Sequence, residues 1–192
     1  SDLFIVNQDA DGISDGADDV TFVGNIPDEV NGMAPANNTS DLIVSNGNSM
    51  NFTKINAADG STVVTYMATL DGEPFELLNG DMASGCANNF GIPPCNYRLY
   101  YTHNPEGTSN YDLLQVELSP LGEATFTTLI EGLSGSSHIG LSNDGSEIYI
   151  VGGSTVRTYD VESGSIVNTQ GVFNGENDQS LSGFPAAVVG PD

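Results

Sequence analysis

The residues best arranged for chemistry are the acids of NQDADGISDGADD, the stretch that begins at Asn7. Asn7, Asp9 and Asp11 fall at positions 1, 3 and 5 of a calcium loop, Gly12 at 6, Ile13 at the carbonyl position 7, Asp15 at 9 and Asp18 at 12. In that order alternate side chains converge on one point. Glycine permits the sharp turn, and the last carboxylate closes an oxygen shell around a hard cation. Asp9, Asp11, Asp15 and Asp18 are the expected side-chain ligands, with Asn7 a weaker one and Ile13 supplying its carbonyl. Four uncompensated carboxylates in one turn repel each other, so a bound calcium ion would relieve the repulsion and couple folding to the metal. The loop departs from an EF-hand in its first and last residues, and no helical pattern flanks it. Strand-like Asp2 to Val6 precedes it and Val20 to Val23 follows.

The second chemical signal is CANNFGIPPC, which holds the chain's two cysteines, Cys86 and Cys95. With so short a loop and no histidine nearby to complete a zinc set, the pair reads as a local disulfide of an oxidising compartment. The loop it closes, carrying Phe90 and Ile92, is expected to protrude and is a first candidate for partner contact. Signals for catalysis are missing: no nucleophile elbow, no His-Glu-x-x-His and no glycine-rich phosphate loop occurs. His103, in the turn Thr102-His103-Asn104-Pro105, reads as a surface residue, and carboxylates are too numerous for any pair to mark a glycosidase. The chain is read as a non-enzyme.

Charge narrows the partners. Three Lys or Arg stand against 26 Asp or Glu in 192 residues, a formal charge of -23. Phosphate backbones need clustered bases, so nucleic acid is excluded as a partner, and anionic membrane surfaces are disfavoured for the same reason. No apolar run reaches membrane-spanning length, so insertion is not expected. An acidic chain with 38% apolar residues and strand periodicity folds, its charge hydrated, screened or bound to cations. A partly calcium-loaded extracellular or cell-surface protein fits. Because Ser1 opens almost directly onto a strand, the chain is expected to be a mature or excised piece of something longer.

The elements that must position these residues are clearest from Ser136 to Val167. Runs rich in Ile, Val, Tyr and Thr are cut by Asn143-Asp144-Gly145, Gly152-Gly153 and Glu162-Ser163-Gly164, the turn signals that join antiparallel strands. Four strands follow: His138 to Leu141, Glu147 to Val151, Thr155 to Val161 and Ser165 to Thr169. Looser copies come earlier. One has Met33 to Ala36, Asp41 to Val44, Met50 to Asn56 and Ser61 to Leu70. The next has Asp81 to Ala83, Tyr97 to Thr102, Tyr111 to Leu118 and Glu123 to Ile130. First strands recur about every 50 residues, near Met33, Met82, Ile139 and Phe184.

Through Leu141-Ser142-Asn143-Asp144-Gly145 with Ile148-Tyr149-Ile150-Val151, and through Val156-Arg157-Thr158-Tyr159-Asp160-Val161, the sequence resembles YVTN and WD40-like propeller repeats of secreted bacterial surface proteins. The acidic loop resembles the DxDxDG repeats of thrombospondin type 3 and dockerin modules and the hairpin calcium loops of integrin-type propellers. The resemblance implies a single all-β domain over residues 1–192, a small propeller-like array of about four antiparallel blades. A β-sandwich and a fragment of a larger propeller are the alternatives. Closure would pair Ala186 to Val189 with Leu3 to Val6, protecting the last edges.

In such an array the starts of the inner strands converge on one face, which places Asn31, Asp81, His138 and Phe184 together. That mixture of hydrogen-bonding groups and apolar surface suits a peptide, a glycan or a partner protein, with Asp81 also able to hold a metal. The expected function is a calcium-stabilised extracellular binding or adhesion module. The alternatives are a structural spacer or filament subunit that self-assembles and, more weakly, a propeller-type hydrolase or lyase.

Overall fold

The computed structural model describes residues 2–6, 20–26, 30–37, 40–86, 96–106, 108–135, 138–152, 155–171, 173–174 and 179–180. The regular elements among them are all strands. The first two, β1 (Asp2–Val6) and β2 (Val20–Asn25), pair antiparallel as a hairpin. A first four-stranded antiparallel unit follows, with β3 (Val30–Pro35), β4 (Asp41–Asn46), β5 (Asn51–Asn56) and β6 (Thr62–Leu70), and short β7 (Glu73–Pro74) on the edge of β6. The second unit is β8 (Met82–Cys86), β9 (Tyr97–His103), β10 (Asn110–Leu118) and β11 (Glu123–Ser134). The third is β12 (His138–Leu141), β13 (Glu147–Gly152), β14 (Thr155–Asp160) and β15 (Ser165–Gly171). Two short strands, β16 (Phe173–Asn174) and β17 (Gln179–Ser180), pair with each other.

The units stack face to face, and the central strands are apolar on both sides. In β9, Leu99 and Tyr101 pack toward the first unit while Tyr100 between them packs toward the third; β10 divides Leu114 and Leu113 in the same way. Strands buried on both faces read as continuous apolar runs, which explains Leu99-Tyr100-Tyr101 and Leu113-Leu114. On the far side of unit one, Leu3 and Ile26 from the N-terminal hairpin cover Val44 and Ile55. Ring contacts dominate the core between units one and two. Phe126 lies 5.3 Å from Phe52 and 5.0 Å from Phe75, and Phe52 meets Tyr101 edge-on at 5.6 Å.

Turn chemistry does what the sequence implies. Asp144 accepts hydrogen bonds from Ser142 Oγ, Ser146 N and Ser146 Oγ at 2.7–3.0 Å, while Gly145 takes φ of 71°, a backbone that side chains rarely adopt. Those bonds, from the Ser146 N–H first, hold its carboxyl down at about 2. Asp59 and Asp160 anchor their turns through Ser61 and Ser163 in the same manner, and both carboxyls are lowered by those bonds. Part of the acidic excess is therefore turn structure.

The all-β array of four-stranded antiparallel units is as expected, with first strands β3, β8 and β12 brought side by side. Ser84 Oγ and the Tyr97 hydroxyl, at 2.7 and 2.8 Å, both donate to the carbonyl of Pro35, bridging unit two to β3. One feature departs from independent blades. Outer strands β6 and β11 pair in parallel, Glu123 with Met67 through Phe126 with Leu70, and merge units one and two into one sheet. With β3 returning beside β8, that sheet nearly closes around the aromatic core. Ala186 to Val189 lie outside the described residues, so within them β1 has β2 as its partner.

Candidate functional site

Three of the four residues expected at the inner-strand starts lie at one junction. Asp81 immediately precedes β8, and its backbone is held against β9: Asp81 N donates to Thr102 Oγ1 at 2.8 Å, and Thr102 N donates to the Asp81 carbonyl at 2.9 Å. Its carboxylate then accepts from two neighbouring backbones, Met82 N on Oδ1 at 2.9 Å and Ile139 N on Oδ2 at 3.0 Å. His138 stands beside it, Nδ1 3.6 Å from Oδ2, too long for a hydrogen bond and attractive only when the ring is protonated. Asn31 donates to Asn79 Oδ1 at 3.4 Å, two residues upstream of Asp81. Phe184 lies outside the described residues.

Local packing fixes this junction. A Cβ on Gly80 would lie 1.8 Å from the Thr102 carbonyl and 2.6 Å from the Tyr101 ring, so only glycine lets the chain approach β9 there. The Tyr101 hydroxyl donates to the Leu78 carbonyl, and burial raises its pKa. With both carboxylate oxygens on backbone N–H groups, Asp81 works as a clasp between units two and three. Among the described residues no group of three or more His, Cys, Asp or Glu is placed to hold a metal.

His103 is a correction. Instead of lying on the surface it is 8% exposed at the end of β9, its ring centroid 4.7 Å from that of Phe75. Burial lowers its pKa, opposed in part by the Asp112 carboxylate and a bond to the Glu76 backbone, and its Nε2 has no hydrogen-bond partner.

The calcium-loop residues Asn7, Asp9, Asp11, Ile13, Asp15 and Asp18 lie outside the described residues. The strands on either side, β1 and β2, form the hairpin that the sequence indicates. Cys86 closes β8, is buried, and is not a free thiol; Cys95 lies outside the described residues. Cys86 stands across from Tyr97 in the β8–β9 ladder. The base of the cysteine excursion is therefore at the opposite end of β8 from Asp81, about 17 Å away at 3.4 Å per residue. Cys86 and Tyr97, the paired residues at its base, thus lie away from the inner-strand starts.

At that opposite end lies what the sequence did not disclose, a cleft of about 890 Å³ across the ends of β9 and β10. Unit one contributes Lys54 and Tyr66, and β9 contributes Tyr97 and Arg98; Gln115 and Glu117 come from β10. Lys54 Nζ is paired with Asp41 at 2.9 Å. Tyr97 points to the same side as Leu99, its hydroxyl fixed on Pro35 and its pKa pushed up to about 12 by burial, so it stays a neutral donor. Arg98, alternating with it, turns toward unit three and donates to the Gly145 carbonyl at 3.4 Å. The available signal was scarcity. The chain has three Lys or Arg, and two of them, Lys54 and Arg98, line this one cleft.

No family model matches this chain, and no curated protein matches it. Among solved structures the chain is similar to the WD40 domain of SCAP from fission yeast, at 9% identity and a TM-score of 0.43, over 94% of this chain and 54% of that one. It thus spans about half the length of that structure.

Proposed function

We propose that this chain is a calcium-stabilised extracellular binding or adhesion module that takes a peptide, glycan or partner protein. Its contact surface is the cleft at the base of the cysteine excursion. The cleft itself carries this reading: about 890 Å³ of open space lined by two tyrosines and several hydrogen-bonding side chains, the composition of a recognition surface. The inner-strand face, by contrast, has its carboxylate spent on the clasp between units. Calcium at Asn7 to Asp18 is supported by the β1–β2 hairpin that brackets the loop. A disulfide between Cys86 and Cys95 would shape the excursion beside the cleft, contributing roughly 2–3 kcal/mol by loop closure.

The deciding experiment screens the chain with calcium present on peptide and glycan arrays, as wild type and with Tyr97→Ala. Binding that the variant loses supports the cleft; binding that it keeps moves the site elsewhere, and blank arrays remove the reading. Thermal unfolding in millimolar calcium should give a higher midpoint than in EDTA, and an equal midpoint removes the metal. Intact mass of native, oxidised protein should show no free thiol.

One observation favours the assembly alternative. All seven residues of β15 are exposed, including Ile166 and Val167, and among the described residues β15 is the end strand of its sheet, a template for a second copy. Light scattering that gives a monomer at high concentration would set this alternative aside.

A further inference from the structure

We infer that the cleft ligand is an acidic saccharide chain, a polymer of carboxylate-bearing sugars, gripped by Lys54 and Arg98 from the two sides of β9. This rests on the binding-module reading and gives it a ligand class. Positive charge is the rarest resource in this molecule. Of three basic side chains, Arg157 is on β14, donating to Ser134 Oγ at 2.9 Å, and the other two line the cleft. In a chain of net charge -23, a carboxylate ligand is repelled over most of the surface and tolerated where bases balance the acids. That balance holds here: Lys54 faces Asp41, and Arg98 shares the lining with Glu117.

Geometry points to a chain of sugars. The faces of β9 alternate, so Lys54 meets the Tyr97 side while Arg98 sits on the side of unit three. A ligand touching both must cross the strand end, which an extended polymer with repeated carboxylates does and a single small acid does not. Lys54 is a point charge held 2.9 Å from Asp41, the two side chains 20% and 17% exposed, and its ammonium carries three donors, so a ligand carboxylate can be taken beside Asp41. Arg98 offers a planar fork suited to a carboxylate, and its bond to the Gly145 carbonyl is a long one at 3.4 Å. Tyr66 and Tyr97, half-buried, also line the cleft and supply the aromatic surface on which the apolar face of a sugar can rest. Gln115 supplies both a donor and an acceptor for hydroxyls. An acidic peptide would use the same charges but wants deep apolar pockets, and this lining is mostly polar.

The test is titration calorimetry of the whole chain in calcium with a polyguluronate hexasaccharide and, separately, a neutral cellohexaose. The expected result is binding of the uronate that is weakened by salt and at least about 10-fold tighter than that of the neutral sugar. Arg98→Ala and Lys54→Gln should each weaken it by about 10-fold, the loss of one charge-assisted contact, with thermal midpoints monitored to show that both variants fold. Arg98→Lys, which keeps the charge, should recover part of the loss. Equal affinity for the two sugars, or uronate binding undiminished in both variants, overturns the inference, as does no uronate binding at millimolar concentration. Calcium-bridged uronate binding elsewhere on the acidic surface would survive both substitutions and so falls among the overturning results. If the arrays nonetheless show a peptide or neutral glycan lost in Tyr97→Ala, the binding-module reading stands without this ligand. If they are blank, both fall.

Discussion

Units one and two share a sheet through the parallel β6–β11 seam and enclose a core in which Phe52, Phe75, Tyr101 and Phe126 touch ring to ring. Unit three is a separate four-stranded sheet. It meets unit two on one face through Ile139, Ile148, Ile150 and Tyr159, and every residue of its last strand is exposed. The same local pattern of strands and turns thus yields a nearly closed body and an attached leaf. The difference lies in long-range pairing. A barrel-like sheet loses its cooperativity only as a whole, whereas a leaf held by one face, the Asp81 carboxylate and the Arg98–Gly145 and Arg157–Ser134 hydrogen bonds can open by itself.

The sharpest way to break this comparison is to hollow out each core. Phe126→Ala removes the hub of the ring cluster and should lower stability by roughly 3–5 kcal/mol, with hydrogen exchange accelerated across β3 to β11. Ile148→Ala, at a fully buried site in unit three, should lower it by roughly 2–4 kcal/mol, but with exchange accelerated mainly over residues 138–171. Equal exchange across both regions in both variants would show one cooperative body.

Cutting the clasp is the next largest effect. Asp81→Ala leaves the N–H groups of Met82 and Ile139 without their acceptor and should cost about 1–3 kcal/mol. Amide exchange should rise in β12 and β13 while β4 and β5 keep their protection. Unchanged exchange in β12 would mean that the apolar face and the two arginine hydrogen bonds hold the leaf without the clasp.

A smaller effect separates the two regions by pH. His103 belongs to the closed body, and burial pulls its pKa below the ordinary 6.5. The unfolded chain therefore binds the proton more readily than the folded one. The stability that neutral His103 allows is complete above pH 6.5 and declines as the pH falls through that value toward the folded pKa. Denaturant midpoints between pH 7 and 5 should fall less for His103→Phe than for wild type, and a matching decline in both would exclude His103 as the source.

The smallest effect is expected on β15. Ile166→Thr and Val167→Thr alter exposed side chains of the leaf and should change stability by less than about 0.5 kcal/mol. A loss of more than 1.5 kcal/mol would reveal a covering contact on that strand.

Sequence alone determined the strands and most of their limits. Alternation and turn residues act between near neighbours, so Asn143-Asp144-Gly145 and Glu162-Ser163-Gly164 could be read as turns, and Asp81 could be set beside His138 once the repeat was seen. The nature of that contact was not legible. Asp81 has the type and position of a ligand-binding group, and only the backbone N–H of Ile139, 58 residues on, makes it a clasp. His103 sat in a turn-like tetrapeptide, but its burial depends on Phe75, which β7 brings over from another unit. The parallel seam between Thr69 and Thr125 follows from two units facing each other, and nothing within either strand specifies a parallel partner. The cleft is likewise tertiary, because Lys54, Tyr97 and Gln115 stand on three strands whose neighbourhood is set by how the sheets stack. Short-range stereochemistry makes the strands and turns, and tertiary structure alone chooses which faces meet and where the few positive charges gather.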